Sequence, residues 1–179
     1  ELARQQPIGS GLLPRGCIAY TRGKGEKTAP TTIYIVERPA GMVGIQYKPA
    51  SRVAKCPEED VAKLRLSWPY TQWTVRFLGS AIQDLHLTCT TAAIESLNDK
   101  IGVLPMPNQY EDGHGSVCLG NLVVPELASP AARVAQLIEH VLASLWNEDL
   151  MPDYEKLGLE GLQAWADKSA QDAAFGLTL

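Results

Sequence analysis

TQWTVRFLGSAIQDLHLTCT, residues 71–90, decides the reading of the fold. Residues 71–78 alternate polar and apolar side chains, Gly79-Ser80 supplies a turn, and residues 82–90 alternate again, so the stretch predicts a β-hairpin with one face toward a core. Working back toward the N-terminus, MVGIQYK (residues 42–48), TTIYIVER (31–38) and residues 15–21 are rich in β-branched and aromatic residues. They predict three further strands, with 42–48 entered through Pro39-Ala40-Gly41 and 31–38 through the Gly/Lys connection TRGKGEKTAP. Pro57-Glu58-Glu59-Asp60 ahead of Val61 and Leu64 predicts a short helix, with proline at its first position and acids in its first turn. Residues 1–13, ELARQQPIGSGLL, have no period and read as a loosely held arm, which leaves residues 14–179 as one domain. The chain begins without Met, as a trimmed or partial chain would.

Working forward, residues 91–117 read as a long irregular segment with a helical turn at Ala92–Leu97, stiffened by Pro105-Met106-Pro107. Ser129 then offers an N-cap, Pro130 suits the first helical position, and Val134, Leu137, Ile138, Val141, Leu142 and Leu145 share one face at helical spacing. This helix is expected to end near Asn147-Glu148-Asp149. A last helix, from about Glu160 to Ser169, should pack Leu162 and Trp165. Strands first and helices later give an α+β class, an antiparallel meander covered on one side. Trp68, Trp73, Trp146 and Trp165 sit in patterned segments and read as core.

Composition narrows the function. The 179 residues carry 16 Lys and Arg against 20 Asp and Glu, a net charge of −4, and no cationic cluster of the kind nucleic acid requires. No run is apolar enough to span a bilayer and no secretory signal is evident, so a soluble, cytoplasmic protein is expected. The four cysteines, Cys17, Cys56, Cys89 and Cys118, are far apart, without the C-x-x-C spacing of zinc or redox sites and too sparse for a disulfide scaffold. No metal or cofactor site is expected. Cys17 and Cys89 lie in strand-like runs and read as near-core residues. Cys118 instead follows a proline- and glycine-rich loop that can hold a side chain accessible.

Pro107-Asn108, then Gly113, then Gly115-Ser116-Val117-Cys118-Leu119 resembles the active-site segment of ubiquitin-conjugating enzymes, in which a Pro-Asn pair and a short loop precede the catalytic cysteine. Ser129-Pro130-Ala131 resembles the opening of that family's crossover helix, and Asn147-Glu148-Asp149-Leu150-Met151-Pro152 the acidic stretch after it. Met106 stands where eukaryotic members have His, and the loop from Asn108 to Cys118 is longer. The wording is more similar to the bacterial ubiquitin-conjugating-like proteins, especially the PRTRC-system protein B group. The resemblance implies a ubiquitin-conjugating-like fold, a ubiquitin-like protein as cargo, a ThiF-like activating enzyme as donor, and an acceptor protein or other nucleophile. It also implies a role in phage defence or mobile-element maintenance.

Each residue type suits this chemistry. A thiolate attacks at modest pKa and leaves readily, so Cys118 can carry an acyl group as a thioester. Asn108, by resemblance, is a neutral amide donor to the developing oxyanion, or else a residue that holds the loop. Asp149 matches the carboxylate that orients and deprotonates an attacking amine, with Asn147 as a loop-gating partner.

Plainer readings stand beside these. Cys118 alone could be a structural cysteine, Asn108 a turn residue, and Asp149 and Glu148 solvated acids past a helix end. His114, close to Cys118, would make a Cys/His hydrolase or a metal ligand, or else an exposed loop tip. His86 and His140 read as strand-face and helix-face residues. Gly23-Lys24-Gly25-Glu26-Lys27-Thr28 lacks phosphate-loop spacing. The order of landmarks around Cys118 favours an acyl-carrying enzyme over a conjugating-enzyme-like binding module or a hydrolase.

Overall fold

The computed structural model describes residues 13–24, 29–48, 61–96, 98–110, 112–120, 129–147, 150 and 153–179. Six strands come first: β1 (Cys17–Lys24), β2 (Pro30–Arg38), β3 (Gly41–Lys48), β4 (Ala62–Trp68), β5 (Tyr70–Leu78) and β6 (Ala81–Thr90). Helix α1 (Pro130–Ala143), the short strand β7 (Leu145–Asn147) and helix α2 (Leu162–Gln171) follow, with single 3-10 turns at Tyr154–Leu157 and Phe175–Thr178. The α+β class is therefore observed.

Alternation makes the strands, as expected. On β5 the odd positions Trp73, Val75 and Phe77 are buried, and across the hairpin Trp73 faces Leu87 and Val75 faces Leu85. The topology, however, departs from a meander in chain order. β2 pairs antiparallel with β5, setting Tyr34 opposite Val75 and Val36 opposite Trp73. One sheet thus runs β1-β2-β5-β6, while the β3–β4 hairpin folds out into a second sheet ordered β4-β3-β7. Folding out lets Trp68 of β4 stack on Trp73 of β5, centroids 6.4 Å apart at 20°, and meet Trp146 of β7 edge-on at 6.4 Å. All three rings are buried, and each removes roughly 150–250 Å² from water. A single flat sheet could not bring them face to face.

Helix α1 forms where expected. Ser129 Oγ accepts from the Ala132 N–H at 3.2 Å, and Val134, Leu137, Ile138 and Val141 enter the core. It ends at Ala143 rather than near Asn147. The Ser144 hydroxyl donates to the Val141 carbonyl at 2.6 Å, and the chain turns into β7, parallel to β3, with Trp146 beside Tyr47. Burying Trp146 between the sheets decides this exit.

Two other expectations are corrected. Ala62–Trp68 is a strand, not the body of a short helix; Pro57-Glu58-Glu59-Asp60 lie outside the described residues. Residues 92–96 are not helical. Asp99 accepts from the Glu95 and Ser96 N–H groups at 2.8 and 2.9 Å, closing an irregular turn in place of a helical one. Of the expected arm, Leu13 is exposed and residues 1–12 lie outside the described residues.

The C-terminus locks onto β4. Trp165 Nε1 donates to the Ser67 carbonyl at 3.0 Å, the Ser67 N–H donates to Ser169 Oγ at 2.8 Å, and the Gly176 N–H donates to Ser67 Oγ at 2.8 Å. All four tryptophans are core residues, as read from the sequence. Cys17 and Cys89 are half-buried strand residues packed against the core; Cys56 lies outside the described residues. No helix among the described residues is long and apolar enough to cross a membrane.

Candidate active site around Cys118

After β6 the chain crosses its own sheet edge and folds into a small hairpin. Gly102 bridges to Cys89 through two backbone bonds of 2.8 and 2.9 Å. Leu104 and Met106 then anchor in the core, both essentially inaccessible. Asn108 follows with φ of 62°, a left-handed conformation that Asn tolerates better than most residues.

The Cys118 N–H donates to the Asn108 carbonyl at 2.7 Å, and the Tyr110 N–H to the Ser116 carbonyl at 2.9 Å. The hairpin is tied to β6 by Leu87 N–H to Gly115 O at 2.8 Å and Val117 N–H to Leu85 O at 2.9 Å. Glycine is required at 115. Its φ is +73°, and a Cβ there would lie 2.3 Å from the Leu87 carbonyl oxygen.

The Asn108 side chain reaches the other way. Its Nδ2 donates to the Leu145 carbonyl at 3.4 Å and its Oδ1 accepts from the Asn147 N–H at 3.3 Å. The carboxamide thus takes the place of one peptide unit against the outer edge of β7. This joins the Cys118 hairpin to the segment after α1. One Nδ2 hydrogen serves Leu145, and the second has no partner among the described residues.

A cavity of about 300 Å³ opens there, lined by Cys118 with Asn108, Tyr110, Leu119, Leu145 and Asn147, among others. Cys118 is half-buried at its wall. The cavity takes apolar side from Val117, Leu119 and Val141 and polar groups from Asn108, Ser144 and Asn147, the mix typical of a small binding site.

The structure therefore brings Cys118, Asn108 and Asn147 to one cavity. His114 is not brought there. It sits at the exposed hairpin tip, outside the cavity lining, and its carbonyl faces His86 Nδ1 at 3.2 Å. A cysteine–histidine pair through His114 has no geometric support. Asp149 and Glu148 lie outside the described residues.

Several residues that hold the site went unread in the sequence. Buried Gln109 donates from Nε2 to the Leu87 carbonyl at 2.9 Å and the Gly115 carbonyl at 3.3 Å, while its Oε1 accepts from Met106 N–H at 3.1 Å. A polar residue directly after Pro-Asn, between apolar anchors, was the available signal. His86 stands between Asp84, 3.5 Å from its Nε2, and the hairpin, with Ser116 Oγ 3.3 Å from its Nδ1. Asp112 closes the tip. The Ser116 hydroxyl and the His114 N–H hydrogen-bond its carboxylate and hold its pKa down to about 2. Burial pushes the Cys89 thiol up to about 11, so that cysteine is a poor nucleophile near neutral pH.

Among the described residues no group of three or more His, Cys, Asp or Glu could hold a metal ion. No family model, curated protein or solved structure matches the chain.

Proposed function

We propose that this chain is an acyl-carrying enzyme of the ubiquitin-conjugating type, with Cys118 as its nucleophile and a ubiquitin-conjugating-like arrangement of sheet, active-site hairpin and crossover helix. The observation that carries the reading is the double use of Asn108. Its carbonyl holds the Cys118 amide at 2.7 Å while its carboxamide clasps β7, beside a cavity that both residues line.

In the first step the Cys118 thiolate attacks the thioester carbonyl joining a ubiquitin-like modifier to a ThiF-like activating enzyme. The tetrahedral intermediate collapses with departure of the donor thiolate, leaving the modifier on Cys118. In the second, an acceptor amine or hydroxyl attacks this thioester, loses its proton, and Cys118 departs as thiolate. The second Nδ2 hydrogen of Asn108, without a partner among the described residues, is suited to donate to the oxyanion of the second step, and the clasp on β7 fixes where it points. Asp149 is the carboxylate assigned to the acceptor, with Asn147 at the loop it follows. The adenylating chemistry resides in the activating enzyme. A reducing compartment such as the cytoplasm keeps the carrier thiol free, and the partners are proteins rather than nucleic acid.

The test is to incubate the protein with its activating enzyme, the modifier and ATP, then compare gels run with and without reductant. A reductant-labile adduct that is lost in Cys118→Ala and becomes reductant-stable in Cys118→Ser is the expected result. The same adduct persisting in Cys118→Ala overturns the assignment.

A further inference from the structure

A sheet ends in strands whose outward N–H and C=O groups need a partner or a guard. Among the described residues, three of the four sheet edges have one. The outer edge of β6 is covered by main chain from Gly102, Gly115 and Val117. That of β4 takes Ser169 and Trp165 at Ser67, and that of β7 takes the Asn108 carboxamide.

β1 differs. Among the described residues only β2 pairs with it. Its start is bulged between Cys17 and Ala19, and the Cys17 thiol donates to the Ala19 carbonyl at 3.2 Å, so the open run is residues 20–24. Ile18 and Tyr20 are exposed beside it, and the Tyr20 ring is steadied by Tyr34, centroids 5.0 Å apart. The charge here is also inverted. From Leu13 to Lys24 the chain carries Arg15, Arg22 and Lys24 and no acid, in a protein with 20 acids to 16 Lys and Arg.

We propose that residues 20–24 of β1 are a strand-addition site for an extended segment of a partner protein in which apolar side chains alternate with Asp or Glu. Main-chain pairing supplies the attachment and side chains the selection. On one face Arg22, beside Tyr20, offers the partner's acids a counter-charge, and on the other the exposed Thr21 and Gly23 leave room for its apolar side chains. A second copy of this chain is a poorer fit, since antiparallel self-pairing would set the same acid-free stretch against itself, and facing like charges are destabilising. The site stands apart from the chemistry assigned to Cys118.

The probe is a short fluorescein-labelled peptide of alternating Glu and Val, with a Lys/Val peptide as its counterpart. Saturable binding of the Glu/Val peptide by anisotropy is expected, about tenfold or more tighter than the Lys/Val peptide at low salt. Arg22→Glu should narrow or reverse that preference with unchanged circular dichroism. N-methylating the peptide amides in one alternate phase should abolish binding and in the other leave it. Slowed hydrogen exchange should fall on β1. No saturable binding, equal binding of both peptides, or equal loss from both methylation phases overturns the proposal. A dimer in sedimentation that itself protects the β1 amides also overturns it, by assigning the edge to a second copy.

Discussion

The C-terminal lock on β4 and the Cys118 hairpin on β6 and β7 use the same device, side chains bonded to the backbone at a sheet edge, to opposite ends. At the lock, Ser67 exchanges bonds of 2.7–3.0 Å with Ala173, Ser169, Trp165 and Gly176, mostly out of solvent. At the hairpin, Asn108 clasps β7 through bonds of 3.3 and 3.4 Å at a half-buried position. Short, buried bonds resist opening because breaking them strands polar groups away from water; long, partly exposed ones can be exchanged for water at less cost. The clasp on β7, rather than the hairpin's short bonds to β6, is thus the contact that opens most readily. The lock contributes to global stability, and the hairpin's bonds contribute to where Cys118 sits.

This contrast can be broken most forcefully at Gly176. A Cβ there would lie 2.4 Å from the Ser67 carbonyl and 2.6 Å from the Trp68 carbonyl carbon. Gly176→Ala should therefore destabilise the whole fold by about 2–3 kcal/mol, read as a lower Tm with a single cooperative transition. A local change confined to the last residues would show that the lock is peripheral.

Gly115→Ala makes a comparable clash with the Leu87 carbonyl and adds left-handed strain, yet the hairpin can lift away. The expected loss is about 1–2 kcal/mol, with an altered alkylation rate at Cys118 well before any change in global melting. Cys89, whose thiol titrates only near 11, should stay unmodified at pH 8 throughout. If it reacts together with Cys118, the core has opened and the two regions are not separable.

Asn108 sharpens the comparison further. Asn108→Gly keeps the left-handed backbone but removes both bonds to β7, and should cost about 1 kcal/mol or less. Under the proposed chemistry it slows discharge of the thioester more than its formation. Equal slowing of both would make Asn108 a loop-holding residue only.

The smallest effect is acid titration of the hairpin tip. Asp112 is depressed from an ordinary value of about 3.9 to about 2 by hydrogen bonds from Ser116 and His114. Its stabilising contribution is thus complete above about pH 4 and is lost as the pH falls through about 2. The Ser116 and His114 amide resonances should shift with a midpoint near 2, and Asp112→Asn should remove that transition. A midpoint near 4 would mean the tip is not closed in solution.

Much of this was written in the sequence where a signal is local. The 71–90 hairpin needs only alternation around Gly79-Ser80, and α1 only the Ser129 cap, Pro130 and an apolar face. Lys63-Leu64-Arg65-Leu66-Ser67-Trp68 alternates as well, but the Pro57 run before it favours a helix, and β4 was not expected. Cys118 and Asn108, singled out by the wording of their loop, do meet at one cavity.

What the sequence by itself determined, then, is β1, β2, β3, β5 and β6, the two helices α1 and α2, and the loop that carries Cys118, because period, capping and turn chemistry act over a few neighbours. The tertiary structure alone decided which strands meet. β2 pairs with β5 across the excised β3–β4 hairpin, three residues after α1 become β7, and Asn108 reaches β7 from the far side of α1. Those outcomes depend on burying Trp68, Trp73 and Trp146 together. No window of sequence contains all three, so no local pattern could announce where the Cys118 loop would be anchored.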